Sequence, residues 1–212
     1  MFNLSKELFF SVPFYYYNIE NTDELNRELV HHILKIKEED EQGLVRSNNL
    51  GWHSETNLSS RDEFNQITKI IHDALNKIST DEEYSSETNL VIENMWANVS
   101  PKYAYNSQHF HPHSLWSGVY YVQCPPNCGN IRFSNKDAEA MWLPLYEKNE
   151  NSVQSRQPHQ WASVVYEAIE GRLIIFPSHV GHEVLQNLTD VEGEDGYRIA
   201  LSFNSIQIKK EK

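Results

Sequence analysis

The chain has 212 residues, 18 Lys and Arg against 30 Asp and Glu, a formal net charge of −12, and 12% aromatic residues that include 11 Tyr and 5 Trp. That charge opposes nucleic-acid backbones and anionic membrane surfaces, and no apolar run approaches the length of a membrane span. The length suits one domain with a real core, expected over residues 1–212, and the aromatic content favours strands.

Taken in order, residues 7–19 read as an aromatic edge strand broken at Pro13, since proline cannot donate to a ladder. Residues 22–38 predict a helix. Thr22 or Asn21 caps it, Asp23 and Glu24 suit its positive end, and Leu25, Leu29, Ile33 and Ile36 form its stripe. His31 and His32 ride on it as ordinary helix histidines. Residues 39–59 form a long polar loop carrying Trp52 and His53, which reads equally as a functional lid or rim and as a surface excursion pinned by Trp52. A second helix is expected over 61–79, with Ser60 and Glu63 as a capping box and Phe64, Ile67, Ile71, Leu75 and Ile78 as its apolar face. An acidic, Ser-rich connector follows.

From Thr88 the period changes from 3.6 to 2. Leu90–Val99 is a strand with Asn94, Trp96 and Asn98 on one face and Met95, Ala97 and Val99 on the other. Further strands are expected at the histidine cluster around 109, at 117–122, 130–133, 163–168, 172–176, 182–188 and 197–208, with an insertion at 134–160. Helices followed by about eight short antiparallel strands imply an α+β fold: a β-sandwich or jelly roll buttressed by helices. Residues 1–88 would supply the N-terminal strand and supporting helices, and 89–208 the β core. Cys124 and Cys128, flanking Pro125-Pro126-Asn127, are too few for a structural zinc site and are expected to be free thiols. The stretch Met1–Leu8 lacks a signal-peptide pattern, so a cytoplasmic location is expected.

The chemistry concentrates in Gln108-His109-Phe110-His111-Pro112-His113. Alternate residues of an extended strand share a face, so His109 and His111 can converge on one metal ion, neutral imidazole being the commonest metal ligand. His182 is the best third donor. His179 and His113 are alternatives, His113 the weaker because Pro112 breaks the strand. In the last strand, Arg198, Ala200, Ser202 and Asn204 share a face too polar for core, opposite Ile199, Leu201 and Phe203. An inward arginine needs an anion, and its planar fork suits a carboxylate, so a carboxylate-bearing small molecule beside a metal is expected. Trp52, Trp116 and Trp142 are candidates for the rim of such a cavity.

The order Asn94-x-Trp96-x-Asn98, His109-x-His111-Pro112, Ser117-Gly118-Val119-Tyr120-Tyr121, Gly171–Ser178, His182 and Arg198–Asn204 resembles the 2-oxoglutarate/Fe(II)-dependent oxygenases. More closely it is similar to their small prolyl-hydroxylase-like branch in marine bacteria and phages, over roughly residues 90–208. The resemblance implies a double-stranded β-helix with helices packed on one sheet, Fe(II) on His109, His111 and His182, and 2-oxoglutarate as co-substrate. It further implies that Arg198 takes the distal carboxylate, with Tyr120, Ser202 and Asn98 assisting. The reaction implied is hydroxylation of a small-molecule or peptide substrate with release of succinate and CO2. A viral source would place it in the infected host's cytoplasm, and aromatics at the N-terminal edge are compatible with a homodimer. The family's usual His-x-Asp or His-x-Glu is here His-x-His, with no acidic residue in the motif. Two rival readings follow from the residues: a three-His cupin-type enzyme that does not use 2-oxoglutarate, and a non-enzymatic β-sandwich whose metal is closed by a fourth ligand.

Overall fold

A computed structural model describes residues 11–135 and 161–210. Two antiparallel sheets face each other. The larger contains β1 (Tyr15–Asn18), β9 (Arg172–Pro177), β6 (Trp116–Gln123), β11 (Arg198–Lys209), β4 (Thr88–Ser100) and β3 (Trp52–His53), in that spatial order. The smaller contains β2 (Asn48–Asn49), β5 (Tyr105–His109), β10 (Gly181–Val184), β7 (Ile131–Ser134) and β8 (Ser163–Tyr166). Helices α1 (Asp23–Glu39) and α2 (Asn65–Asp81) cover the outer face of the larger sheet. This is the expected α+β jelly roll.

Alternation explains the layering. Met95, Ala97 and Val99 of β4 and Ile199, Leu201 and Phe203 of β11 point outward to Leu29, Ile33, Ile71, Leu75 and the rest of the helix-facing core. The intervening residues face the smaller sheet, where Val119, Tyr121, Phe133, Ile174 and Phe176 form a second cluster. Gly118 leaves room for the ring of its cross-strand partner Phe203, since a Cβ there would lie 2.3 Å from that ring.

Several local expectations change. The N-terminal strand starts at Tyr15, after Pro13; residues 1–10 lie outside the described ones. Helix α2 starts at Asn65, and the Ser60–Glu63 capping box does not form. Two short 3-10 turns precede the helix instead, and the Ser60 hydroxyl donates to the Asn57 carbonyl at 2.8 Å. Thr22 precedes α1 without making a side-chain cap; its hydroxyl lies beside Tyr120. The 39–59 segment is more than a loop, because β2 pairs with β5 and β3 with β4, tying it to both sheets. Cys124 and Cys128 are free, as expected.

Candidate active site

Between the sheets lies a cavity of about 620 Å³ lined by residues that include His109, His111, His182 and Arg198. His109 ends β5 and His182 is the second residue of β10, and the two are direct cross-strand partners, which sets their rings 4.3 Å apart centre to centre. The ladder stops at His109. His111 lies just beyond it, its N–H donating to the Ser178 carbonyl at 2.9 Å, and its ring stands 5.0 Å from that of His109 and 5.1 Å from that of His182. One ligand nitrogen from each of the three can be chosen so that all lie within 4.8 Å of one another.

Backbone hydrogen bonds select the tautomers. The Nδ1–H of His109 donates to the Ser107 carbonyl at 2.7 Å, and that of His182 to the Val180 carbonyl at 3.0 Å. Each bond leaves Nε2 with its lone pair exposed, the usual way a second partner prepares a metal ligand. Burial, reinforced by the neighbouring imidazoles, pushes His182 down to about 3 and His111 down to about 4, and burial also lowers His109. All three are therefore neutral at pH 7, as coordination requires. Three neutral imidazoles lining a cavity fit a first-row divalent metal such as iron and leave positions for other ligands. Among the described residues no fourth side chain closes the group: His113 is exposed in a turn at φ +71°, and His179 is exposed. Glu183 points to the opposite face and pairs with Arg132 at 2.6 Å, so it does not supply the carboxylate that the motif lacks.

Arg198 is 3% exposed. Its Nη1 donates to the carbonyls of Cys128 (2.5 Å), Leu185 (3.0 Å) and Gly129 (3.3 Å), and its Nη2 to the Ser100 hydroxyl at 3.1 Å. Gly129 is required there: φ is +89°, and a Cβ would sit 2.2 Å from the Leu185 carbonyl oxygen and 2.7 Å from Nη1. No carboxylate pairs with Arg198 among the described residues. Burial favours its neutral form, but a guanidinium stays charged in proteins, and a buried cation held only by neutral dipoles is completed by an anion.

Asn98 and Ser202 line the cavity as expected, joined by Nδ2 to Oγ at 3.2 Å, and the Asn98 Oδ1 has no partner among the described residues. Tyr120 does not line it. Its hydroxyl donates to Asn26 Oδ1 of α1 at 2.7 Å, on the helix side of the sheet. The register gives the reason, because cross-strand partners share a face. Tyr120 pairs with Leu201, a core residue, whereas Tyr121 pairs with Ala200 on the cavity face. Tyr121 is thus the tyrosine that lines the cavity, with a buried hydroxyl that has no partner among the described residues. Alternation from Ser117 through Val119 could have identified it. Trp116 is likewise no rim residue, being buried with Nε1 donating to the Tyr84 hydroxyl at 3.2 Å; Trp52 is buried and donates to the Asp40 carbonyl at 2.7 Å. Trp142 lies outside the described residues. Trp96 does face the cavity, stacked on His53 at 5.5 Å and 10° and 5.7 Å from His111.

Residues 94–204, just over half of the chain, match the model of the family described as "Putative 2OG-Fe(II) oxygenase". The chain belongs to that family. It is an oxygenase whose cofactors are iron(II) and 2-oxoglutarate, and the cupin-type and non-enzymatic readings fall away. No curated protein matches it. Similar solved structures include a prolyl-4-hydroxylase from Pseudomonas putida, 15% identical, with 91% of this chain and 92% of that one covered at a TM-score of 0.59. Another is the alpha ketoglutarate dependent epimerase SnoN of nogalamycin biosynthesis, 10% identical, with 93% and 79% covered at 0.61. HygX from Streptomyces hygroscopicus, solved with nickel, 2-oxoglutarate and hygromycin B, is 10% identical, with 92% and 82% covered at 0.59. At these identities the likeness is one of fold.

Proposed function

We propose that His109, His111 and His182 hold the iron, and that Arg198 binds the distal carboxylate of 2-oxoglutarate with help from the Tyr121 hydroxyl. Asn98 and Ser202 form the polar wall beside them. One observation carries this reading: three neutral imidazoles converge within 4.8 Å in the same cavity as a buried arginine that has no carboxylate partner among the described residues. Iron with bound 2-oxoglutarate supplies oxygen activation coupled to decarboxylation of the keto acid to succinate and CO2. The chain's own contributions are positional. Carbonyls fix the guanidinium before the ligand arrives, the tyrosine donates a hydrogen bond where no protein acceptor competes, and the cavity walls exclude bulk water. The all-histidine ligand set is neutral, so the metal keeps one more unit of positive charge than it would beside a carboxylate. That favours the anionic keto acid.

The substrate is a small molecule or peptide that offers a C–H bond to the metal. No described helix is long and apolar enough to cross a membrane. We read the chain as one domain acting in the cytoplasm, of an infected host if its source is a phage, without nucleic-acid or membrane partners. A homodimer through β1, where Tyr16 is exposed, is the oligomer to look for by light scattering.

The test is an anaerobic titration of the Fe(II)-loaded protein with 2-oxoglutarate, following the visible absorption that appears when the keto acid chelates iron. A saturable band is expected. Arg198→Ala should keep iron and weaken 2-oxoglutarate by about tenfold or more, the size of a lost charge-assisted contact. His182→Ala should lose iron. Unchanged metal content in His182→Ala would sink the ligand assignment, and no band with iron bound would sink the co-substrate assignment.

A further inference from the structure

The cavity has a charge opposite to that of the chain around it. Acidic residues outnumber Lys and Arg by 30 to 18 overall, yet among the described residues the lining contains no Asp or Glu and has two arginines, Arg198 and Arg46. Amides and hydroxyls make up most of the remaining polar wall, with Asn94, Asn204 and Gln108 among them. Arg198 is accounted for by 2-oxoglutarate in the reading above. Arg46 is not.

Arg46 is exposed at the mouth, and its backbone is held while its guanidinium is not. Its N–H donates to Asn48 Oδ1 at 2.7 Å, and Asn48 Nδ2 ties the same segment to the carbonyls of Leu44 (3.1 Å) and Gly51 (2.9 Å). The Leu44 N–H donates to the His53 carbonyl at 2.8 Å, closing the segment at its base. The guanidinium itself has only a long contact of 3.4 Å, to the carbonyl of its own neighbour Val45, and makes no ion pair among the described residues. Its location is set by Ser47. The Ser47 carbonyl accepts from the Ser107 N–H at 2.9 Å, and its hydroxyl lies 3.5 Å from the ligand nitrogen Nε2 of His109. Arg46 is also close enough to His53 to disfavour a charge there. A braced segment thus places a cation without an ion pair one residue from the proposed metal-binding imidazoles, on a wall where no described residue is a carboxylate that would repel an incoming anion.

We infer that Arg46 is the anchor for an anionic group of the substrate, and that the substrate is a small polar molecule carrying a carboxylate or a phosphate monoester. This rests on the oxygenase site proposed above. The volume of about 620 Å³ must hold 2-oxoglutarate as well, which suits a second molecule of metabolite size. An exposed guanidinium recognises either anion bidentately, while the amide wall offers donors and acceptors to hydroxyls or amides of the same molecule.

The test uses matched pairs of probes: N-acetyl amino acids against their carboxamides, and sugar phosphates against the parent sugars. Binding is read by saturation-transfer NMR on the Zn(II)- and 2-oxoglutarate-loaded protein, and turnover by succinate release from the Fe(II) enzyme. Anionic members should bind and accelerate succinate release, and their neutral partners should not; whichever pair shows the difference identifies the anion. Arg46→Gln should weaken the anionic members about tenfold or more, with Arg46→Lys restoring part of the loss, and both variants should leave the 2-oxoglutarate band unchanged. Equal binding of neutral and anionic members, no binding of any anion, or an Arg46→Gln variant that keeps the preference would each overturn the inference. So would a 2-oxoglutarate band weakened in Arg46→Gln, which would move this arginine to the co-substrate. A wild-type protein that binds iron but develops no band is a failure of the underlying reading and is seen separately.

Discussion

At the scale of single residues, the adjacent tyrosines make opposite claims that one pair of conservative variants can separate. Tyr121→Phe removes a buried hydroxyl that has no partner among the described residues, so the metal-free protein should lose no stability while 2-oxoglutarate binding weakens about tenfold. Tyr120→Phe leaves Asn26 Oδ1 without its donor, and should cost about 1–3 kcal/mol in urea melts with unchanged 2-oxoglutarate binding. Reversed outcomes would put the wrong tyrosine in the cavity. The histidines set a pH dependence. Their folded-state values, about 3 for His182 and about 4 for His111, lie below the ordinary 6.5, so between these limits the unfolded chain holds more protons than the folded one. Their contribution to metal-free stability is complete above pH 6.5 and is lost as pH falls toward 3. Thermal melts of the metal-free protein should drop across that window, and His182→Gln should flatten the curve; an equally steep curve in the variant would count against the cluster as its source. The proposed ligands His109 and His111 and the inward Arg198 could be picked out from the sequence because side-chain spacing acts over a few residues, and all three line the cavity together with His182. Tyr121 obeys the same parity but needs the pairing of Leu201 with Tyr120 to settle which face is which. Arg46 sits in a polar loop with no periodicity at all.

Among the elements, legibility followed the strength of the hydrophobic pattern. Both helices and the long strands β4 and β11 were readable because alternate residues enter different environments, the helix-facing core on one side and the cavity on the other. The start of α2 was not, because Ser60 spends its hydroxyl on the Asn57 carbonyl within a 3-10 turn, a local choice that propensity does not resolve. This gives a direct contrast in stability. Ser60→Ala should stay within about 0.5 kcal/mol of wild type in chemical denaturation, whereas Ile71→Ala, at a fully buried position between α2 and the larger sheet, should cost about 2–5 kcal/mol. A Ser60→Ala loss comparable to that of Ile71→Ala would mean that a helix cap exists after all. The two-residue strands β2 and β3 were invisible for a different reason: too short to show a period, they exist because longer strands offer them free edges.

For the molecule as a whole, those two short strands have a mechanical consequence. Within a few residues of chain, β2 is stitched to the smaller sheet through β5 and β3 to the larger through β4. The segment acts as a cross-tie between two plates, so the plates cannot separate at that edge without breaking backbone hydrogen bonds on one side or the other. Amide hydrogen exchange can read this. The N–H groups of the cross-tie that donate into the ladders should open with the sheets, far more slowly than surface-loop amides such as that of Val45. Asn48→Ala, which removes the bonds that stiffen the tie from within, should speed their exchange while leaving β9 and β11 protected. Fast exchange throughout the tie in the wild type would show that it carries no tension. If the tie holds, the bore of the cavity mouth is set when the chain folds, and ligands are sorted by a gauge of constant width.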